Sequence, residues 1–90
     1  MEISCDPAKR DKTLKERGLD FADAARIFEG PTLTLLDDRF DYDEARYQTY
    51  GLLDDRLVMV VWTDAPPGRR IISMRKTNER EQARFGKRLG

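Results

Sequence analysis

The run Arg70-Ile71-Ile72-Ser73-Met74-Arg75-Lys76-Thr77-Asn78-Glu79-Arg80-Glu81 gathers cations where a buried strand hands over to a helix. Arginine presents a rigid planar fork that meets phosphate oxygens two at a time, and lysine adds a compact point charge. Cations held on rigid elements in this way suit phosphate recognition, or docking against an acidic protein. A second group, Glu44, Arg46 and Tyr47, opens an earlier extended segment. If the edges align, Arg46, Arg75, Lys76 and Arg80 line one shallow concave surface. Cleavage of RNA without a metal begins with attack of the 2′-hydroxyl on the adjacent phosphate. It needs a proton acceptor, a donor to the leaving oxygen and cations around the phosphorane. Arginines supply the cations, and Glu44 is the carboxylate nominated as base, with Arg46 beside it. The plainer reading of Glu44 is an exposed strand-end carboxylate in a weak ion pair. Tyr47 and Tyr50 can stack on bases, although aromatic strand residues more often pack.

Several chemistries are excluded by composition. The chain has no histidine, so a nucleophile–histidine triad cannot be assembled. Gly51, Gly68 and Gly86 are isolated, and no glycine-rich phosphate loop exists. The single Cys5 closes no internal disulfide and reads as a small residue of a buried strand. Neither a zinc site nor any cofactor is expected. Asp37 to Glu44 carries five acidic residues in eight but lacks the spacing of a calcium loop, so it reads as a solvated loop. The longest apolar run, Leu57 to Trp62, is too short for a bilayer, and no signal pattern opens the chain. A soluble, cytoplasmic protein without membrane contact is the expectation.

The net charge of zero hides an asymmetry. Residues 1–45 hold seven basic against twelve acidic side chains, and residues 46–90 hold ten against five. From Arg69 onward eight are basic and two acidic. The basic half suits an anionic partner, or the halves neutralise each other across the fold.

Ninety residues make one domain, 1–90. Met1 to Cys5 reads as a short strand. Asp6 caps a helix with Pro7 at its first position, and Gly18 ends it, with Leu19 folding back on Leu14. Asp20 caps a second helix with a Phe21, Ala24, Ala25, Phe28 core stripe, ended by Gly30-Pro31. Thr32–Leu36 and Ala45–Leu53 then read as strands, and Asp54-Asp55 as a tight turn. Leu57–Thr63, apolar throughout, is a central strand covered on both faces. Ala65-Pro66-Pro67-Gly68 turns into the last strand, Arg69–Arg75. Alternation would put Ile71, Ser73 and Arg75 on one face, with Arg70, Ile72 and Met74 on the other. Asn78 and Glu81 form a capping box for a charged final helix anchored by Ala83, Phe85 and Leu89. Its weak apolar face implies loose docking, or completion by a partner. The order β-α-α-β-β-β-β-α makes an α+β domain with an antiparallel sheet.

These residues resemble a known family. Asp6-Pro7-Ala8-Lys9, Arg17-Gly18-Leu19-Asp20-Phe21-Ala22-Asp23-Ala24 and Phe28 are similar to the D-P-x-K…K-H-G-[VI]-x-F-E-E-A…F opening of the BrnT toxins. Glu44-Ala45-Arg46-Tyr47…Gly51 matches their E-x-R-[YFW]…G. Arg70 to Lys76 with Asn78, Arg80 and Glu81 matches their R-I-I-S-[AM]-R-K-A-N-x-R-E. The likeness runs from about Cys5 to Phe85.

The resemblance implies a RelE-like fold and the toxin of a bacterial type II toxin–antitoxin pair. Such a toxin would be a metal-independent endoribonuclease that inhibits translation. Its expected partners are RNA and a BrnA-like antitoxin in a hetero-oligomer, with operator DNA reached only through the antitoxin. It gives roles to Glu44, Arg46, Ser73, Arg75, Lys76 and Arg80, with Arg75 foremost. Arg75, Arg46, Glu44 and Lys76 are the catalytic candidates; Arg70, Ser73, Arg80 and Tyr47 are the RNA-binding ones. Two departures stand out: Arg17 replaces the histidine of K-H-G, and Phe85 replaces a closing tyrosine. The alternative is a non-catalytic module, or an inactive toxin relic, that grips RNA or protein with the same basic face.

Overall fold

The computed structural model describes residues 1–39 and 43–89. Its elements follow the expected order: β1 (Ile3–Cys5), α1 (Pro7–Arg17), a 3₁₀ turn (Phe21–Asp23) leading into α2 (Ala24–Glu29), β2 (Thr32–Leu36), β3 (Tyr47–Leu53), β4 (Arg56–Ala65), β5 (Gly68–Lys76) and α3 (Glu79–Leu89). The strands form one sheet in the order β1-β5-β4-β3-β2. Neighbours pair antiparallel except for the short β1, which runs parallel to β5.

Local chemistry explains most boundaries. Asp6 accepts the Ala8 amide at 2.9 Å, and Gly18 closes α1 at φ 69°, a left-handed angle free of steric cost without a Cβ. Leu19 enters the core, whereas Leu14 stays half exposed and α1 buries none of its residues. Asp54 and Asp55 both adopt positive φ, 50° and 64°, the pattern of a two-residue hairpin turn whose twist matches its strands. Asp54 there accepts a 2.6 Å hydrogen bond from Arg26 of α2. The Pro66–Pro67 bond in the β4–β5 turn is cis.

The sheet separates two cores. Leu19, Phe21, Ala24 and Ile27 from the helical hairpin pack on Val58, Val60, Trp62, Ile71 and Met74. On the other face Tyr50, Leu57, Met59 and Val61 lie under Phe85 and Leu89 of α3. Every residue from Leu57 to Thr63 is buried, because β4 is covered on both sides. Each large apolar side chain so buried contributes about 1.5–3 kcal/mol.

Three expectations need correction. The core stripe of the second helix is Phe21, Ala24 and Ile27; Ala25 and Phe28 are only partly buried. Opening as a 3₁₀ turn, with three residues per turn, brings Ile27 inward instead of Phe28. Secondly, α3 is firmly docked: Phe85 and Leu89 are buried, and Phe85 stacks on Tyr50 at 4.2 Å. Ala83 is exposed and anchors nothing. Finally, alternation along β5 breaks. Val61 pairs with Ser73 while Trp62 pairs with Ile71, leaving Ile72 as an extra bulged residue. Ile71 and Met74 therefore share the hairpin-side core, and Ile72 packs with the α3-side one.

Gly51 shows why one motif position tolerates no side chain. A Cβ there would stand 2.5 Å from Ile27 Cγ2 and 3.3 Å from Thr32 Cγ2. Ile27 is fully buried and β-branched, so it cannot swing aside. Replacing Gly51 by Ala should cost about 1–3 kcal/mol of overpacking strain, read from urea unfolding. An unchanged midpoint would mean that α2 gives way to the added methyl at no cost.

Candidate functional site

The β5 bulge decides where the basic run points. After it, Arg75 pairs with Met59 and faces α3, while Lys76 pairs with Val58 and falls on the hairpin side. Arg75 and Lys76 therefore serve opposite faces of the sheet. Beside Arg75 stands Glu81, delivered by the first turn of α3. The guanidinium donates twice to the carboxylate, Nη1 to Oε1 and Nη2 to Oε2, both at 2.8 Å. The Asn78 amide donates to Glu81 Oε1 at 3.0 Å, and the Tyr50 hydroxyl to Oε2 at 3.2 Å. The Glu81 amide in turn donates to Asn78 Oδ1 at 2.8 Å, completing the capping box.

Electrostatics follow from this geometry. The Arg75 hydrogen bonds, opposed by burial and aided by the Asn78 amide, bring Glu81 down to about 2. Glu81 raises Arg75 in return, against the cost of burial. Burial, and then Glu81, raises the Tyr50 phenol, which stays a neutral donor at ordinary pH. A carboxylate whose conjugate acid titrates near 2 is a feeble base near neutrality. Glu81 is thus placed to orient Arg75 and is poorly suited to accept a proton.

The other candidates fall elsewhere. Glu44, Arg46 and Arg70 come together around one cavity, with Lys9 and Ile72. The Arg46 carbonyl also accepts the Asp37 amide at 2.8 Å, pinning the loop base. Asp37 itself is buried and paired with Arg39 at 2.8 Å, so this end of the acidic loop is not the solvated segment expected. The middle of the acidic segment, residues 40–42, lies outside the described residues. Ser73 lines a neighbouring cavity against α1, with Lys9, Lys12 and Arg17. Arg80 is exposed on α3, one residue off the sheet-facing Glu81. Tyr47 stacks on Trp62 at 4.7 Å on the hairpin side, where it packs against the core. Arg46 lies four residues before Tyr50 on the same chain segment, about 13 Å in extended backbone. Arg75 does not line the cavity that holds Arg46.

Both departures from the family pattern have structural jobs. Arg17 Nη1 donates to the Met74 carbonyl at 2.9 Å. That carbonyl lies on β5 beyond the stretch that β1 pairs, residues 69–71, so Arg17 caps an open sheet edge. Phe85 fills the α3-side core on Tyr50, whose hydroxyl supplies the polar contact to Glu81. Sequence reasoning treats Glu81 as a helix cap alone. The signal that could have found its second role is the R-x-x-x-x-x-E interval from Arg75, a strand end facing a helix start.

Among the described residues, no three of Cys, Asp and Glu gather as a metal site, and no helix is long and apolar enough to cross a membrane. Residues 5–81 match the family model described as the ribonuclease toxin BrnT of type II toxin–antitoxin systems. The chain belongs to the BrnT family. No curated protein matches it. BrnT membership makes it a ribonuclease toxin by family, with an antitoxin partner and an RNA target. The α+β fold, an open five-stranded sheet with helices on both faces, is compatible with that class.

Proposed function

We propose that the protein is a metal-independent endoribonuclease that stops translation by cutting RNA, and that a BrnA-like antitoxin neutralises it in a hetero-oligomeric complex. The observation that carries this reading is Arg75, a guanidinium oriented by Glu81 on a rigid sheet face. In the proposed step the 2′-hydroxyl attacks the adjacent phosphorus and its proton passes to water, since Glu44 stands with Arg46 and Arg70 in a cavity that Arg75 does not line. The bond to the 5′-oxygen breaks, and that oxygen leaves as a hydroxyl after taking a proton from water. Arg75 stabilises the extra charge of the phosphorane, where a preorganised donor acts most strongly. Arg46 and Arg70 hold neighbouring phosphates, with Ser73 and Arg80 flanking the path. Lys76 and Tyr47 lie on the hairpin side, across the sheet from Arg75. The products are a 2′,3′-cyclic phosphate and a 5′-hydroxyl.

One observation favours a non-catalytic module instead: Glu81 occupies the fork that a phosphate would use. Induced expression in a bacterium, followed by mapping of RNA ends, separates the two. Growth arrest with internal cuts bearing 5′-hydroxyl ends, undiminished by chelator in the purified reaction, is the expected result. Salt-sensitive RNA binding with intact RNA would establish the module.

A further inference from the structure

Two cavities adjoin on the α1 side of β5, and Lys9 and Ile72 line both. Together they form one groove from Arg46 and Arg70, past Lys9, to Lys12, Arg17 and Ser73. Five cations line it against three carboxylates, of which Asp6 already accepts the Ala8 amide. Lys9 and Lys12 make no ion pair among the described residues. They sit one turn apart on a helix that buries nothing, so their charge is not needed for folding.

We infer that this groove carries the backbone of single-stranded RNA beside the cleavage site, with Lys9 and Lys12 each meeting a phosphate. The inference rests on the ribonuclease reading above and extends it to residues outside the Arg75 cluster. Ser73, at the groove's end, lies two residues before Arg75 on the same strand, so a chain leaving the groove passes the proposed reacting phosphate. Lysines suit this role, since they are point charges that follow a backbone without reading its bases. An acidic protein fits less well, because the exposed wall offers little of the apolar or aromatic anchorage that protein interfaces need.

The test uses the full chain and a labelled, mixed-sequence 12-nucleotide RNA with 2′-O-methyl groups, which it can bind but not cleave. The dissociation constant is measured against KCl concentration for wild type and for Lys9→Gln with Lys12→Gln. The salt slope should fall by about 1.4, since each phosphate contact on a single strand contributes about 0.7. Lys9→Arg with Lys12→Arg should keep the wild-type slope, and Lys15→Gln with Lys87→Gln should barely change it. An unchanged slope in the Gln pair, or an equal fall in the Lys15 and Lys87 pair, overturns the inference. Unaltered RNA binding with lost binding of purified antitoxin would assign the groove to the protein partner and overturn it too. Arg75→Ala separates the two claims: if it cuts RNA like wild type, the catalytic reading fails while the slope result still judges the groove.

Discussion

Replacing Arg75 by Ala should lower RNA cleavage by about 10²- to 10³-fold and abolish growth arrest, while the domain stays folded. The magnitude is that of removing one preorganised donor from a developing oxyanion. Folding survives because the cores on both faces of the sheet are independent of this side chain. Glu81 also retains the Asn78 amide and the Tyr50 hydroxyl when Arg75 is gone. Arg75→Lys should rescue little, because an ammonium cannot reproduce two parallel N–H bonds. Cleavage rates on a defined RNA, beside thermal unfolding of each variant, make the comparison. Wild-type rates in a folded Arg75→Ala protein would move catalysis to the Glu44, Arg46 and Arg70 cavity. A variant that fails to fold is set aside for Arg75→Lys, whose bulk keeps the packing.

Features encoded within a few residues were legible in the sequence, and features that depend on pairing between distant segments were not. Asp6 with Pro7, Gly18, and the Asn78–Glu81 box are local hydrogen-bonding and backbone signals, and each stands where its residue type demands. Leu57–Thr63 declares a strand buried on both faces through unbroken hydrophobicity. The β5 bulge leaves no such mark. No glycine or proline flags Ile72, and its extra residue exists only relative to the register of β4. One unmarked bulge shifts every face assignment after it, so simple alternation groups Arg75 with Ile71 although Arg75 faces α3. The concave surface expected to unite Arg46, Arg75, Lys76 and Arg80 divides for a simpler reason, because adjacent residues of a strand point to opposite faces. Lys76 turns to the hairpin side, and Arg46 joins Arg70 in a separate cavity. The rotation of α2 toward Ile27 likewise follows from a 3₁₀ turn that hydrophobic spacing alone does not reveal.

Glu81 should prove a strongly pH-sensitive support of the fold. A carboxylate held at about 2 in the native state, against an unfolded value of 4.5, favours folding wherever the unfolded chain binds the extra proton. Its contribution is complete above about pH 5 and declines as pH falls toward 2, with roughly two-fifths remaining at pH 3. The full shift corresponds to on the order of 2–3 kcal/mol at neutral pH, once the partly exposed Arg75 side is allowed for. Glu81→Gln keeps the shape and an acceptor for the Asn78 amide but removes the charge. Urea unfolding at pH 7 should then show a loss of about 2 kcal/mol, shrinking to near nothing at about pH 2 as wild type itself becomes protonated. A gap of equal size at both pH values would place the cost in packing and not in ionisation. The same substitution tests the competition at Arg75. With the fork released, the 2′-O-methyl RNA should bind more tightly, while cleavage of ordinary RNA slows because nothing orients the guanidinium. Tighter binding with slower turnover is the signature of a positioning residue; slower turnover with weaker binding would mean that Glu81 serves only the helix cap.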